Sequence, residues 1–333
     1  MRGHSSRKTG GLRQAAADTK LPVLGTAPAF VDNQRWFNTP AEQPLTLAGL
    51  RGHVVLVDFW TYTCINCIRT LPYLNGWYSK YASKGLTIVG VHTPEFPFEH
   101  SAANVAAAIK QNNIHYPVAQ DNDYGTWNAY GNQYWPAEYL IDAQGRVRLV
   151  DFGEGKYAAK ERAIRGLLAE AGASALGSVT HTHAQAPSNA ELTPESYLGA
   201  ARAEGFANGR ISTGVRDFGV SHTAPAHEHL LYQGSWKIAD LSATARAGAS
   251  LELSFLARRV FLVLGSPDRP RRVRILLDGH PIPRSLAGPD VHGSAVNVSF
   301  QRLYRLVSLP GVQRHVLTIE PQAGVSGYAF TFG

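Results

Sequence analysis

The feature that most constrains this chain is its only pair of cysteines, which stand three positions apart as Cys64-Ile-Asn-Cys67. The pair comes soon after Val54–Trp60, an almost continuous apolar run of the kind that forms a buried central strand. Residues 64–84 then have the apolar spacing of a helix, with Gly85 as its stop. The pattern predicts a helix that begins at Cys64, with Cys67 one turn further on and within disulfide reach.

This position favours redox chemistry over metal binding. At the N-terminus of a helix, the dipole and the free N–H groups stabilise a thiolate. A structural zinc site normally needs four ligands, so histidines would have to join the two cysteines. His222, His227 and His229 form the one histidine group that could bind a metal by itself, and a turn-rich loop is the commoner explanation for it.

A change of periodicity divides the chain into two parts. Strand and helix patterns alternate up to residue 171, whereas apolar residues alternate with polar ones further on, as at Leu251, Leu253 and Phe255. Short strands separated by turn signals predict a β-sandwich or jelly roll. We therefore expect four segments: a flexible basic tail at 1–20, an α/β domain at 21–171, a linker at 172–189 and an all-β domain at 190–333.

The first domain is predicted to have a mixed α/β order that ends in an antiparallel hairpin. Its expected strands are Val54–Trp60, Leu86–His92, 116–119, Ala137–Ile141 and Arg146–Phe152, and its expected helices are 64–84, 104–111, 124–130 and 156–171.

The charge distribution argues against a nucleic-acid partner, and the hydropathy argues against a membrane-spanning helix. The formal net charge is +7, but the domain with the cysteines is nearly neutral, so the basic character does not indicate a nucleic-acid partner. The densest basic run, at 269–274, is typical of a solvated strand edge or loop. No apolar run approaches the roughly 18 residues that a membrane-spanning helix needs.

Around the cysteines the sequence resembles the thioredoxin active site, from Asp58-Phe-Trp60 through Cys64 to Cys67. Trp135–Pro136 resembles the cis-proline loop of that fold. An extra helix and strand at about 95–120 resemble those of the TlpA/ResA-like branch, which is a TlpA/peroxiredoxin-like variant of the fold. The resemblance implies a thioredoxin fold over about 21–171, to which the second domain adds a jelly roll or β-sandwich.

The same resemblance implies roles for the site residues. Cys64 would attack a partner disulfide and Cys67 would resolve the adduct, with Asp58 as its base. Trp60 would shield the site, and Pro136 would shape the loop that meets the partner. Glu95 and Glu138 could flank the site, although solvated carboxylates would fit the sequence equally well.

Four segments are similar to the extracytoplasmic C-terminal part of DipZ-type proteins: WTYTCINC, VHTPEFPFE, YWPAEYLID and the terminal YAFTFG. Such proteins join a CcdA-like membrane domain to a TlpA-like domain and a carbohydrate-binding-module-like β domain. The resemblance implies a reductant on the extracytoplasmic face of a bacterial membrane, anchored by a membrane domain absent from this chain. Electrons would come from the CcdA-like domain and pass to disulfides of exported proteins or apocytochromes c. No cofactor beyond the Cys64–Cys67 disulfide is expected.

Two alternatives remain at this point. Thr61-x-x-Cys64 matches half of the peroxiredoxin pattern, so a thiol peroxidase is one, and peroxide consumption would distinguish it. The other is a cell-surface binding protein whose second domain binds glycan or protein. Tyr232, Trp236 and Tyr304 could form a sugar-stacking platform there, although aromatic residues on strands are more often core.

Overall fold

The computed structural model describes residues 20–182 and 192–333. Apart from residue 20, the predicted tail lies outside the described residues, as do residues 183–189 of the predicted linker. Residues 172–182 of that linker are described, and part of them packs on the first domain, where the Arg165 guanidinium donates hydrogen bonds to the carbonyls of Gly177 and Ser178. No helix in the described ranges is both long and apolar enough to cross a membrane.

The first part of the chain alternates strands with helices, as its sequence pattern predicts. In chain order the elements are β1 (Gly25–Thr26), β2 (Arg35–Phe37), β3 (Val54–Trp60), α1 (Ile65–Tyr81), β4 (Leu86–His92), α2 (Ala102–Gln111), β5 (Val118–Gln120), α3 (Gly125–Ala129), β6 (Ala137–Ile141), β7 (Arg146–Phe152) and α4 (Tyr157–Glu170).

These strands form one seven-stranded sheet in the order β1-β7-β6-β3-β4-β5-β2. The strand before the cysteines, β3, is central and buried along its whole length, with β4 parallel on one side and β6 antiparallel on the other. Helix α1 packs on this sheet through Leu71, Leu74 and Trp77, which are three residues apart and buried. The helix and the short turn after it end at Gly85, whose φ of 97° is the left-handed conformation that glycine favours.

The second part of the chain forms a separate eleven-stranded antiparallel sheet system. Its elements are β8 (Ser196–Tyr197), β9 (Gly214–Asp217), β10 (Leu230–Gln233), β11 (Ser235–Ile238), β12 (Ala243–Ala245), β13 (Ser250–Gly265), β14 (Arg271–Leu277), β15 (His280–Pro281), β16 (Ala295–Val298), β17 (Arg302–Pro321) and β18 (Ser326–Phe332).

The strands of this part are less uniform than the sequence predicts. Strands β13 and β17 run for 16 and 20 residues, and their pairing contains register shifts near Ala257 and Val260. Such irregularities bend a strand, so one long strand serves several neighbours where the pattern predicts separate short ones. Phe300, which continues the sequence alternation of Val296 and Val298, lies outside β16 and is exposed.

The two sheets meet through an apolar contact beside the cysteine motif. Ile65 and Phe96 of the first part form a buried cluster with Phe261, Val263 and other residues of the second part. The ring of Tyr328 on β18 packs against Phe98, with 4.8 Å between ring centroids. Through this contact the β domain packs against the start of α1.

Candidate active site

Cys64 caps the N-terminus of α1, directly after the loop that follows β3. Its sulfur accepts a hydrogen bond from the backbone N–H of Cys67 at 3.3 Å, which satisfies one of the free donors of the first helical turn. Both cysteines are free thiols. Cys64 is partly exposed, whereas Cys67 is fully buried, so an incoming molecule can reach the first sulfur but not the second.

Asp58 lies on β3 beneath α1 and is fully buried. Neither of its carboxylate oxygens has a hydrogen-bond partner among the described residues. Burial raises the pKa of Asp58 well above its usual range, and the neighbouring Glu138 raises it further. Burial also raises the pKa of the Cys67 thiol, followed by its hydrogen bond to Cys64 and by the charge of Asp58. This geometry gives the buried thiol a buried carboxyl as its neighbour.

The Trp135–Pro136 peptide bond is cis, as the sequence predicts. The Trp135 carbonyl lies 3.9 Å from the Cys64 sulfur. The indole of Trp135 is fixed by a hydrogen bond from its Nε1 to the carbonyl of Thr93. Trp60 is fully buried in the same apolar cluster as Cys67.

A cleft of about 320 Å³ opens above Cys64, and both parts of the chain line it. Its lining includes Trp135 of the first part and Glu195, Tyr197 and Arg202 of the second part. This volume is at the lower end of the range for small-molecule sites. The β domain therefore forms a wall of the cleft in which the exposed cysteine lies.

Polar contacts close one side of this cleft. Arg202 pairs with Glu95 at 2.7 Å, and the Tyr197 hydroxyl donates to the same carboxylate at 2.9 Å. The Arg202 guanidinium also lies over the ring of Tyr197, 3.3 Å from the centroid. Glu95 therefore joins the two parts of the chain at the edge of the site.

Glu99, which the sequence analysis missed, organises the loops behind Cys64. It is fully buried; one oxygen accepts from the Thr63 hydroxyl at 2.6 Å, and the other accepts from the N–H groups of Glu95 and Phe96. Burial raises the pKa of Glu99 to about 7. The sequence does contain a signal that this loop is buried. Phe96-Pro97-Phe98 places two aromatic side chains in a loop where solvated residues are usual.

Glu138 does not fit the solvated alternative, because it is 1% exposed on β6. It pairs with Lys160 of α4 at 2.8 Å. Lys160 could not be found from the sequence, since a lysine on a terminal helix is normally solvated.

The predicted sugar platform is wrong. Tyr232, Trp236 and Tyr304 are all buried, so they offer no ring face to a ligand. The ring of Tyr232 stacks on Phe206, and its hydroxyl donates to the carbonyl of Leu198. These residues are core, and a carbohydrate partner stays a prediction with no residues assigned to it.

No group of three or more histidine, cysteine or carboxylate side chains in the described part of the chain is arranged to hold a metal ion. The histidines at 222, 227 and 229 therefore form no such group, and the His229 ring instead contacts the carbonyl of His227 at 2.8 Å.

Two family models match the chain: one described as the AhpC/TSA family at residues 14–150, and one described as the thioredoxin-like C-terminal domain at residues 193–333. Protein DipZ of Mycobacterium tuberculosis is 36% identical over 318 residues, which cover 94% of this chain and 44% of DipZ. The thiol-disulfide oxidoreductase ResA of Geobacillus thermodenitrificans is 30% identical over 40% of this chain and 72% of ResA. The thiol-disulfide oxidoreductase YkuV of Bacillus subtilis is 28% identical over 34% of this chain and 77% of YkuV.

The fold, the cysteine pair at the start of α1 and these relatives define a thioredoxin-like protein of the thiol–disulfide oxidoreductase class. More specifically, the chain is a homologue of DipZ, because that match runs through both of its parts. The resemblance found in the sequence is thus confirmed. The chain spans less than half of the length of the DipZ proteins that it matches.

Proposed function

We propose that this protein reduces disulfide bonds of other proteins on the extracytoplasmic side of a bacterial membrane, with Cys64 as the attacking thiol. The observation that carries the proposal is the asymmetry of the pair. Cys64 lies at the floor of an open cleft with its sulfur held at a helix N-terminus, whereas Cys67 is buried one turn behind it.

The reaction divides between the two sulfurs. The Cys64 thiolate attacks a sulfur of the partner disulfide, which gives a mixed disulfide and releases one partner thiol. Cys67 then loses its proton to Asp58 and attacks the Cys64 sulfur, so that the partner leaves fully reduced. Trp60 keeps water away from the buried sulfur, and Pro136, which has no N–H, leaves the space beside Cys64 without a competing donor.

The two residues between the cysteines support this direction of electron flow. Ile65 and Asn66 carry no positive charge, so they add no stabilisation to a Cys64 thiolate, and the reduced form is not favoured as it is in strong oxidants. The similarity to DipZ and ResA supports the same direction. The electrons would come from a CcdA-like membrane partner and serve exported proteins or apocytochromes c.

The reduction potential tests this direction. The protein is equilibrated with glutathione buffers, and the thiol fraction is counted by alkylation and mass spectrometry. We expect a value nearer that of thioredoxin, about −270 mV, than that of DsbA, about −120 mV. A potential close to the DsbA value would show that the protein oxidises its partners.

The two alternative functions make different predictions about Cys64. A thiol peroxidase would consume hydrogen peroxide at the expense of the thiols, and a binding protein would keep its ligand after Cys64→Ser. We expect negligible peroxide turnover in the parent protein, and loss of disulfide reduction in the Cys64→Ser variant.

A further inference from the structure

Three carboxyl side chains stand in a row beneath the active site. Asp58 on β3 is directly opposite Glu138 on β6, and Glu138 is directly opposite Asp151 on β7. Residues directly opposite each other in antiparallel strands point to the same face of the sheet. The row therefore runs across three strands, from the neighbour of Cys67 towards the edge of the sheet.

Two lysines complete this row. Lys160 on α4 is 4% exposed, and its Nζ lies 2.8 Å from Glu138 and 3.1 Å from Asp151. Lys156, whose side chain is 70% exposed, contacts the other oxygen of Asp151 at 2.6 Å. Cross-strand neighbours and ion pairs thus link a fully buried carboxyl to an exposed lysine.

The charges along this path do not balance if every carboxyl is ionised. Three carboxylates face two lysines, and one of the lysines touches only Asp151 at the surface end. Burial raises the pKa of both Asp58 and Glu138, while Lys160 opposes this rise in both. Two neighbouring buried carboxyls that cannot both ionise hold one proton between them.

Few other titratable groups face this pair. Cys67 approaches Asp58 from α1, and Tyr116 approaches it from the segment before β5. Burial raises the pKa of Tyr116 well above its usual range, so its hydroxyl stays protonated. On the helix side, the Lys160 ammonium also lies 5.5 Å from the centre of the Tyr157 ring. Lys160 is therefore the only cation among the groups that the described residues place around the two carboxyls.

We propose that Asp58 and Glu138 share a single proton and that Lys160 holds this pair ready to accept another from Cys67. Glu138 and Lys160 are then positioning residues that act through Asp58. The inference rests on the proposed function and deepens it, because it explains how a carboxyl with no direct access to solvent regains its ionised state.

The attack by Cys67 on the mixed disulfide begins with a proton transfer. When the shared proton is on Glu138, the Cys67 thiol gives its proton to the Asp58 carboxylate. The Cys67 thiolate forms a bond to the Cys64 sulfur, the bond between Cys64 and the partner breaks, and the partner thiolate takes a proton from water. The pair then returns its extra proton to water through the end of the row at Asp151.

The two steps can be measured separately by stopped flow with an aromatic disulfide that releases a coloured thiolate. The first release reports attack by Cys64, and the second reports attack by Cys67. The pH profile of each phase is recorded for the parent protein, Lys160→Met, Glu138→Gln and the charge-conserving Lys160→Arg. Lys110→Met, which removes an exposed lysine of α2, is the matched control.

The two substitutions are expected to move the second phase in opposite directions. Lys160→Met removes the positive charge, so Asp58 ionises at higher pH, and we expect the midpoint to rise by about one pH unit and the rate at pH 7 to fall about tenfold. Glu138→Gln removes the competing carboxyl, so the midpoint falls. Lys160→Arg and Lys110→Met keep the parent profile, and the first phase is the same in every variant.

Unshifted midpoints in Lys160→Met and Glu138→Gln, with only a lower melting temperature, would show that the row is structural and would overturn the inference. If Lys160→Met does not fold, the downward shift in Glu138→Gln decides the matter alone. Absence of the first phase in the parent protein would instead contradict the proposed function itself, so the two failures are distinguishable.

Discussion

The most quantitative prediction concerns Glu99, whose carboxyl ties the loop before Cys64 to the loop that meets the β domain. Its pKa is about 7 in the folded protein, against the ordinary 4.5 of a glutamate side chain. Burial is the main cause, and the charge of Glu95 adds to it, while hydrogen bonds from Thr63 and Phe96 oppose the rise. The folded protein therefore binds a proton at Glu99 over a pH range where the unfolded chain has already lost it.

The sign of the effect follows from proton linkage. Stability falls with rising pH wherever the folded state binds more protons than the unfolded state. The contribution of Glu99 is full below about pH 4.5, declines as the pH rises and is lost above about pH 7. A pKa difference of this size corresponds to about 3 kcal/mol of unfolding free energy.

Glu99→Gln tests this value, because glutamine can still accept the backbone N–H groups but does not titrate. We expect the parent protein to lose about 3 kcal/mol more unfolding free energy than the variant between pH 4 and pH 8. Urea unfolding at several pH values gives both curves. Glu204→Gln, which removes an exposed carboxyl, should leave the parent curve unchanged. Parallel curves for the parent and Glu99→Gln would show that the folded protein does not retain a proton at Glu99 over this pH range.

Three other substitutions probe the base beside Cys67, the contact between the two parts of the chain and the core of the β domain. Asp58→Asn should slow the attack by Cys67 at least about tenfold at pH 7 and leave the attack by Cys64 unchanged, in the same two-phase stopped-flow assay; equal slowing of both phases would contradict a role specific to Cys67. Tyr328→Ala should cost about 2 kcal/mol in urea unfolding, since it removes a ring packed between the two parts of the chain, and an unchanged unfolding midpoint would argue against that contact. Tyr232→Phe should cost about 1 kcal/mol by leaving the Leu198 carbonyl without its donor, and a stability equal to that of the parent would contradict its role as a core residue.

Much of the first domain could be predicted because its signals are local. The apolar runs at Val54–Trp60 and Leu86–His92 form strands with the predicted bounds, and the short turn that follows α1 ends at Gly85 as predicted. The cis bond at Trp135–Pro136 could be predicted because the resemblance to thioredoxins covers both the cysteine motif and this loop. In these cases a few neighbouring residues determine the structure.

The remaining features depend on contacts between residues that are far apart in sequence. The wall formed by Tyr197 and Arg202 arises only when the β domain packs against Ile65, more than a hundred residues earlier. The helical sequence pattern of α4 is the same whether Lys160 is solvated or buried, so the pattern could not show that this lysine is buried. Aromatic residues such as Tyr232 alternate along strands in a core as they would on a binding surface, so sequence could not separate the two.

Trapping of a mixed disulfide distinguishes the attacking cysteine, Cys64, from the resolving one, Cys67. Cys67→Ser and Cys64→Ser are each mixed with a peptide that contains one disulfide bond, quenched with acid and analysed by mass spectrometry. We expect a stable mixed disulfide at Cys64 in Cys67→Ser, no adduct at the buried Cys67 in Cys64→Ser, and full release of the reduced peptide by the parent protein. An adduct at Cys67, or no adduct in Cys67→Ser, would contradict these roles.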